Sequence, residues 1–228
     1  HGGVQVLLKG EPSLRADMVV LAIGVTPDTR LAREAGLALG RKGSIAVNER
    51  METSAKDVYA VGDAVEIWHT VTGQKTLLSL AGPGNKQGRI AADNICGGSS
   101  VYRGAQGSFV LKLFDLTAAA TGINEQTARE AGIGCDKIYL SPSSHAGYYP
   151  GGQAMTIKVV FETGTFRLLG AQIVGREGVD KRIDVLAAAI RAGMTGPELS
   201  ELDLAYAPPY SSAKDPVNMA GFMMENLA

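Results

Sequence analysis

The sequence predicts an α/β first half followed by an α+β second half. In the first half, two apolar runs read as strands and stop at a glycine: Ala16 to Ile23 before Gly24, and Val58 to Val61 before Gly62-Asp63. Open α/β sheets place their ligands just beyond such carboxyl ends of strands. In the second half, strand-like runs succeed one another with hairpin-like links, which argues for an antiparallel sheet. A helical stripe then follows at Val179, Ile183, Leu186 and Ile190.

In chain order, Val4 to Leu8 opens a hairpin, and Ala16 to Ile23 is the strand after it. Leu31 to Ala35 is a short helix, because Gly36 stands just past its end. Gly43 to Val47 is a short strand, Val58 to Val61 a buried one, and Val71-Thr72-Gly73-Gln74-Lys75 a hairpin excursion. Asn85 to Ile95 is a helix that ends at Gly97-Gly98. After these glycines the composition shifts, and a boundary is expected near residue 103. Ser108 to Leu113, Ala118 to Gly122, Lys137 to Leu140, Met155 to Phe161 and Leu168 to Val174 are strands rich in β-branched and aromatic residues. Asn124 caps a short helix closed by Gly132, and Gly164-Thr165 turns between the last two strands. Val179 to Ala192 is a helix. Asp215 as N-cap and Pro216 at the first helical position start another, through Asn226.

A chain of 228 residues can bury a real core. Charge is nearly balanced, with 22 basic against 23 acidic side chains, so no nucleic-acid-binding surface is indicated. Hydrophobic residues make up an ordinary 45%, and no apolar run is long enough to span a bilayer. The two cysteines, Cys96 and Cys135, form no CxxC pair, and with the three scattered histidines they suggest no metal site. They read as free thiols. The chain starts without Met and reads as the interior of a longer protein.

Three places offer chemistry. Gly62 lets a ligand approach the backbone, and Asp63 offers an acceptor to a sugar or polyol hydroxyl; a β-turn whose Asp caps the next segment explains the same residues. Leu77-Leu78-Ser79-Leu80-Ala81-Gly82-Pro83-Gly84 leads into a helix whose free N–H groups attract anions and carbonyl oxygens, or simply forms a loop. Tyr206-Ala207-Pro208-Pro209-Tyr210 is stiffened by its prolines, and Lys214 precedes a helix start. That is a plausible phosphate site or a solvated lysine on a surface loop.

The segments Thr53-Ser54 through Asp63-Ala64 and Ile23-Gly24-Val25-Thr26-Pro27 together resemble the second half of FAD- and NAD(P)-dependent disulfide reductases. The resemblance implies that Gly62 and Asp63 bind the ribityl chain of FAD, and that Leu80-Ala81 lies under the flavin ring. The stretch Tyr206 to Phe222 and the loop His145 to Gly151 resemble the coenzyme A-disulfide reductases and the related NADH oxidases and persulfide reductases. Carried across, Tyr148 and Tyr206 are the active-site tyrosines. Asn85 is a helix-start residue that contacts CoA, and Lys214 meets CoA as well. The implied division is 1–29 as the end of an NAD(P)-binding domain, 30–103 as the second segment of a Rossmann-like FAD-binding domain, and 104–228 as a dimerisation domain. The implied partners are NAD(P)H, a CoA disulfide or persulfide, and a second subunit that completes the active site; the implied location is cytoplasmic. The family's redox cysteine and GxGxxG fingerprints fall upstream of residue 1, and neither Cys96 nor Cys135 occupies that cysteine position. An NADH oxidase or peroxidase of the same group is the alternative for the parent. For the chain in isolation, the alternative is an inactive dimerisation fragment.

Overall fold

The computed structural model describes residues 2–227; His1 and Ala228 lie outside them. A two-stranded hairpin, β1 (Val4–Val6) and β2 (Leu14–Ala16), comes first, followed by α1 (Arg30–Glu34). Strands β3 (Ile45–Ala46), β4 (Val65–Trp68) and β5 (Lys75–Thr76) form a small mixed sheet, β3 parallel and β5 antiparallel to β4. Helix α2 (Ala81–Ile95) buries Gln87, Ala91 and Asn94 on one face. Val47, Met51, Val65, Ile67, Ala91 and Tyr102 make the core of this half.

The second half is a five-stranded antiparallel sheet. It is built from β6 (Phe109–Leu113), β7 (Leu116–Gly122), β8 (Cys135–Leu140), β9 (Met155–Glu162) and β10 (Leu168–Gly175), in the order β6-β7-β10-β9-β8, with α3 (Glu125–Glu130) between β7 and β8. Met155, Ile157, Val159 and Phe161 alternate along β9 and are buried, as period-two patterning requires. Helix α4 (Val179–Ala192) lays its stripe of Val179, Ile183, Leu186 and Ile190 on β7 and β10. Each such side chain contributes about 1.5–3 kcal/mol on burial. Two more helices, α5 (Gly196–Ser200) and α6 (Pro216–Glu225), pack so closely that a Cβ on Gly221 would lie 2.4 Å from the Ser200 nitrogen. Gly193 closes α4 in the left-handed region, and Asp215 caps α6 by accepting from the Val217 N–H.

The antiparallel sheet, its helices and the β4–β5 hairpin agree with the expected elements. Two apolar runs do not. Residues 17–24 form no strand, and Ile23 is 89% exposed. Val58 to Val61 is not a buried strand either: Tyr59 makes one bridge to Glu52, while Val58 and Val61 stay exposed. A strand needs a neighbour for its N–H and C=O groups. Among the described residues, neither run has the two flanking strands that would bury it. Helix α5 was not anticipated; its signal was a Thr195-x-x-Glu198 capping box with Pro197 in the first turn.

Helix α3 is tied to the sheet through Glu125, which pairs with Lys158 on β9 and with Lys137 on β8 at 3.2 Å. The hydrogen bond from Lys158, opposed by partial burial, is the main cause that holds the Glu125 carboxyl down to about 2 from an ordinary 4.5. The folded chain therefore binds this proton more weakly than the unfolded chain. The stabilisation is complete above about pH 4.5 and is lost as the pH falls toward about 2. Urea midpoints measured through this window should fall more steeply for the unaltered chain than for Glu125→Gln, and parallel curves would refute the assignment.

Candidate functional site

The Gly62–Ala64 segment is a single 3-10 turn packed against α2. Gly62 has φ +84°, a conformation that a side chain would strain, and its N–H donates to Gln87 Oε1 at 2.7 Å. Gly84 faces it so closely that a Cβ there would sit 3.6 Å from the Gly62 Cα. Asp63 is exposed and makes no hydrogen bond or ion pair among the described residues. Helix α2 begins at Ala81 with Leu80 as its uncapped N-cap. Its first helical bond runs from the Gly84 N–H to the Leu80 carbonyl at 3.2 Å, so the N–H groups of Ala81 and Gly82 are left facing outward. This corner can receive polyol hydroxyls at Asp63 and carbonyl or phosphate oxygens at the helix end.

Asn85 is not at the helix start. The helix begins one turn earlier than the sequence pattern suggests, because Gly82, Pro83 and Gly84 are first-turn residues rather than a loop. Proline is tolerated there since its missing N–H has no helical acceptor. Asn85 is exposed in the second turn.

A second constellation lies in the other half. Tyr148 and Tyr206 are 58 residues apart, yet their hydroxyls are 2.7 Å from each other. Both rings are exposed. Their shared hydrogen bond is the main cause that raises the Tyr206 phenol above its ordinary value, so the Tyr206 hydroxyl is neutral at pH 7. The two carrying loops are fastened to one another: the Ala146 N–H donates to the Ser211 carbonyl at 2.9 Å. His145 is buried beneath them, edge-on to Tyr149 with ring centroids 5.5 Å apart.

The fastening depends on Arg182, which is fully buried in α4. Its guanidinium donates to the Ser144 carbonyl at 2.9 Å, to the Gly178 carbonyl at 3.0 Å, to Ser211 Oγ at 3.3 Å and to Asp215 Oδ2 at 3.1 Å. Ser211 in turn donates to Asp215 Oδ2 at 2.6 Å. Burial pushes the Asp215 carboxyl up, but the Ser211 hydroxyl, the Val217 N–H and Arg182 together hold it below the usual range. Gly178, at φ +70°, makes room: a Cβ there would lie 2.1 Å from Arg182 Nη1. Lys214 precedes Asp215 and sets its ammonium 4.5 Å from the Phe222 ring centroid, lining a groove of about 460 Å³ with Pro142 and Met219.

No hydrogen bond or ion pair among the described residues joins the Gly62–α2 corner to the tyrosine pair. Cys96 is exposed at the end of α2 and Cys135 is half-buried on β8; neither makes a disulfide. Among the described residues no group of His, Cys, Asp and Glu could hold a metal ion, and no helix is long and apolar enough to cross a membrane.

Comparison with known proteins matches residues 1–88 to the pyridine nucleotide-disulphide oxidoreductase family and residues 109–216 to the dimerisation domain of that family. The chain belongs to the pyridine nucleotide-disulphide oxidoreductases. Within this family it is 41% identical over 203 residues to an NAD(P)H sulfur oxidoreductase (CoA-dependent) from Pyrococcus abyssi, covering 89% of this chain and 45% of that protein. It is 33% identical over 221 residues to a coenzyme A disulfide reductase from Staphylococcus aureus, covering 96% and 50%. A solved NAD-dependent persulfide reductase from A. fulgidus superposes with a TM-score of 0.90 at 45% identity, covering 94% of this chain and 40% of that one. The chain thus spans about half the length, or less, of these relatives.

The family resemblance singled out both tyrosines, but neither it nor the sequence pattern pointed to Arg182 or Gln87. The signal for Arg182 was present: it stands three residues after Val179 and four before Leu186, inside the apolar stripe. A charge in that stripe demands a buried partner.

Removing one partner of a buried pair typically costs about 3–5 kcal/mol. Arg182→Ala should therefore lower the urea midpoint strongly at an unchanged m-value, whereas a surface change such as Arg176→Ala should move it little. In Tyr148→Phe, the Tyr206 phenol should titrate at lower pH than in the unaltered chain, followed by ultraviolet difference absorbance. A Tyr206 titration that does not move would show that the hydroxyl pair does not form in solution.

Proposed function

We propose that this chain is part of a homodimeric, cytoplasmic flavoprotein that reduces a CoA disulfide or CoA persulfide at the expense of NAD(P)H. The observation that carries the reading is the hydroxyl pair of Tyr148 and Tyr206, on loops locked by one buried arginine. The names of the relatives, a CoA-dependent NAD(P)H sulfur oxidoreductase, a coenzyme A disulfide reductase and an NAD-dependent persulfide reductase, support the substrate class. The division into 1–29, 30–103 and 104–228 is part of the same reading: the end of a nucleotide domain, a segment of the FAD domain, and the dimerisation domain.

The corner at Gly62 fits the family's FAD. Asp63, a carboxylate with no partner among the described residues, suits a ribityl hydroxyl, and the open N–H groups of Ala81 and Gly82, just after Leu80, suit the carbonyl end of a flavin ring. When bound, FAD supplies the two-electron chemistry between NAD(P)H and sulfur. The chain's own residues bind and orient. Tyr206, backed by Tyr148, donates a hydrogen bond or proton to the sulfur that leaves when a mixed disulfide is cleaved. Lys214 meets a CoA phosphate as a point charge, released from its contact with the Phe222 ring. Asn85, exposed on α2, is a contact from the same helix. The reacting cysteine is read as lying outside residues 1–228. The tyrosines of one subunit serve the flavin corner of the other; among the described residues no hydrogen bond or ion pair joins the two sites within one chain.

In the full-length enzyme, Tyr206→Phe should lower kcat and kcat/KM together, because the contact strengthens in the transition state. Lys214→Ala should mainly raise KM for CoA disulfide. Normal turnover by Tyr206→Phe with loss of kcat in Lys214→Ala would reverse the roles. Losing a charge-assisted hydrogen bond costs about 1.5–3 kcal/mol, so Asp63→Ala should shed FAD on gel filtration; full retention would remove Asp63 from the cofactor site.

A further inference from the structure

Between α2 and α4 lies a cleft of about 680 Å³; the tyrosine pair does not line it, and it meets the flavin corner only at the first turn of α2, at Gly82 and Pro83. Its size is that of a small-ligand site. Lys86 and Arg89 reach it from α2, Arg103 from the crossing between the two halves, and Arg191 from the last turn of α4. No carboxylate lines it. None of the four cations makes an ion pair or a side-chain hydrogen bond among the described residues, although the chain carries one more acidic residue than basic ones. Four unpaired cations gathered from three elements on one cavity repel one another, and an anion relieves that repulsion.

We propose that this cleft binds a phosphate-bearing ligand of the pyrophosphate class, held by Arg103 and Arg191 with Lys86 and Arg89. Planar guanidinium groups bind phosphate oxygens bidentately. Two or more such contacts match the spread of charge on a diphosphate better than that on a single carboxylate. The diphosphate is either the one inside a CoA-type molecule or that of a free nucleotide. The site is independent of the reductase reading, since it requires no turnover.

The test is calorimetric titration of the 228-residue chain with inorganic pyrophosphate at low ionic strength. One-to-one binding is expected. Loss of one charge-assisted contact corresponds to about tenfold or more in affinity, so Arg103→Gln and Arg191→Gln should each weaken binding by about that factor. Arg191→Lys should retain most of the affinity, which separates lost charge from lost fold, and the urea midpoint of each variant provides the same check. Arg176→Gln, outside the cleft, should bind as the unaltered chain does. Absence of pyrophosphate binding, undiminished binding by both glutamine variants, or equal weakening in Arg176→Gln would overturn the proposal. Displacement of pyrophosphate by CoA but not by pantetheine assigns the site to a CoA-type ligand; displacement by ADP and not by CoA assigns it to a nucleotide. Pyrophosphate binding here, with no CoA-disulfide turnover by the full-length enzyme, would sink the proposed function and leave the cleft standing.

Discussion

The buried contact between Arg182 and Asp215 is the constraint on which the second half depends. One guanidinium holds a backbone carbonyl of the first tyrosine loop, a serine of the second, and the carboxylate that caps α6. A charge taken out of water costs several kcal/mol, and only a full set of partners offsets it. Here the donors and acceptors close on one another. The arrangement is therefore worth little as net stability and much as a template: the loops have one way to sit. That fixes two phenol oxygens at hydrogen-bond distance although each ring is open to solvent.

The first half is organised differently. Its core is small, and its ligand corner consists of backbone: a left-handed glycine, a helix start without a capping side chain, and one free carboxylate. Such a corner does little for stability by itself, since its groups are satisfied by a bound partner rather than by one another. Gln87 is the exception, a buried amide that pins the Gly62 N–H and so sets the turn against α2.

The second half was largely legible in the sequence because its contacts are local. Strands β6 and β7 pair across a tight hairpin, as do β9 and β10, and alternation along β9 names the buried face. The α4 stripe and the Asp215-Pro216 start were equally plain. In the first half the apolar runs at Met18–Ile23 and Val58–Val61 looked as strand-like as any. Hydrophobicity records a tendency to be covered, not the identity of the cover, and neither run finds it among the described residues. Asn85 was misplaced because glycine and proline mark both loops and first helical turns. The tyrosine pair was reached through resemblance; the buried arginine behind it was legible from its place in the stripe. The cleft cations were not, because Lys86, Arg89, Arg103 and Arg191 meet only once the halves are joined.

That joining has a mechanical meaning. At the crossing, Gly104 sits at φ +82° with the Trp68 carbonyl where a Cβ would be, 2.3 Å away; the Ala105 N–H donates to that carbonyl, and Gln106 reaches Ala187 in α4. This is a weld, not a hinge. Like charges on a hinged joint would drift apart and dissipate their repulsion, whereas on a weld they keep it. The backbone thus fixes where the segments bearing the four cations meet around the cleft, while their exposed side chains remain open to screening by salt or a multivalent anion.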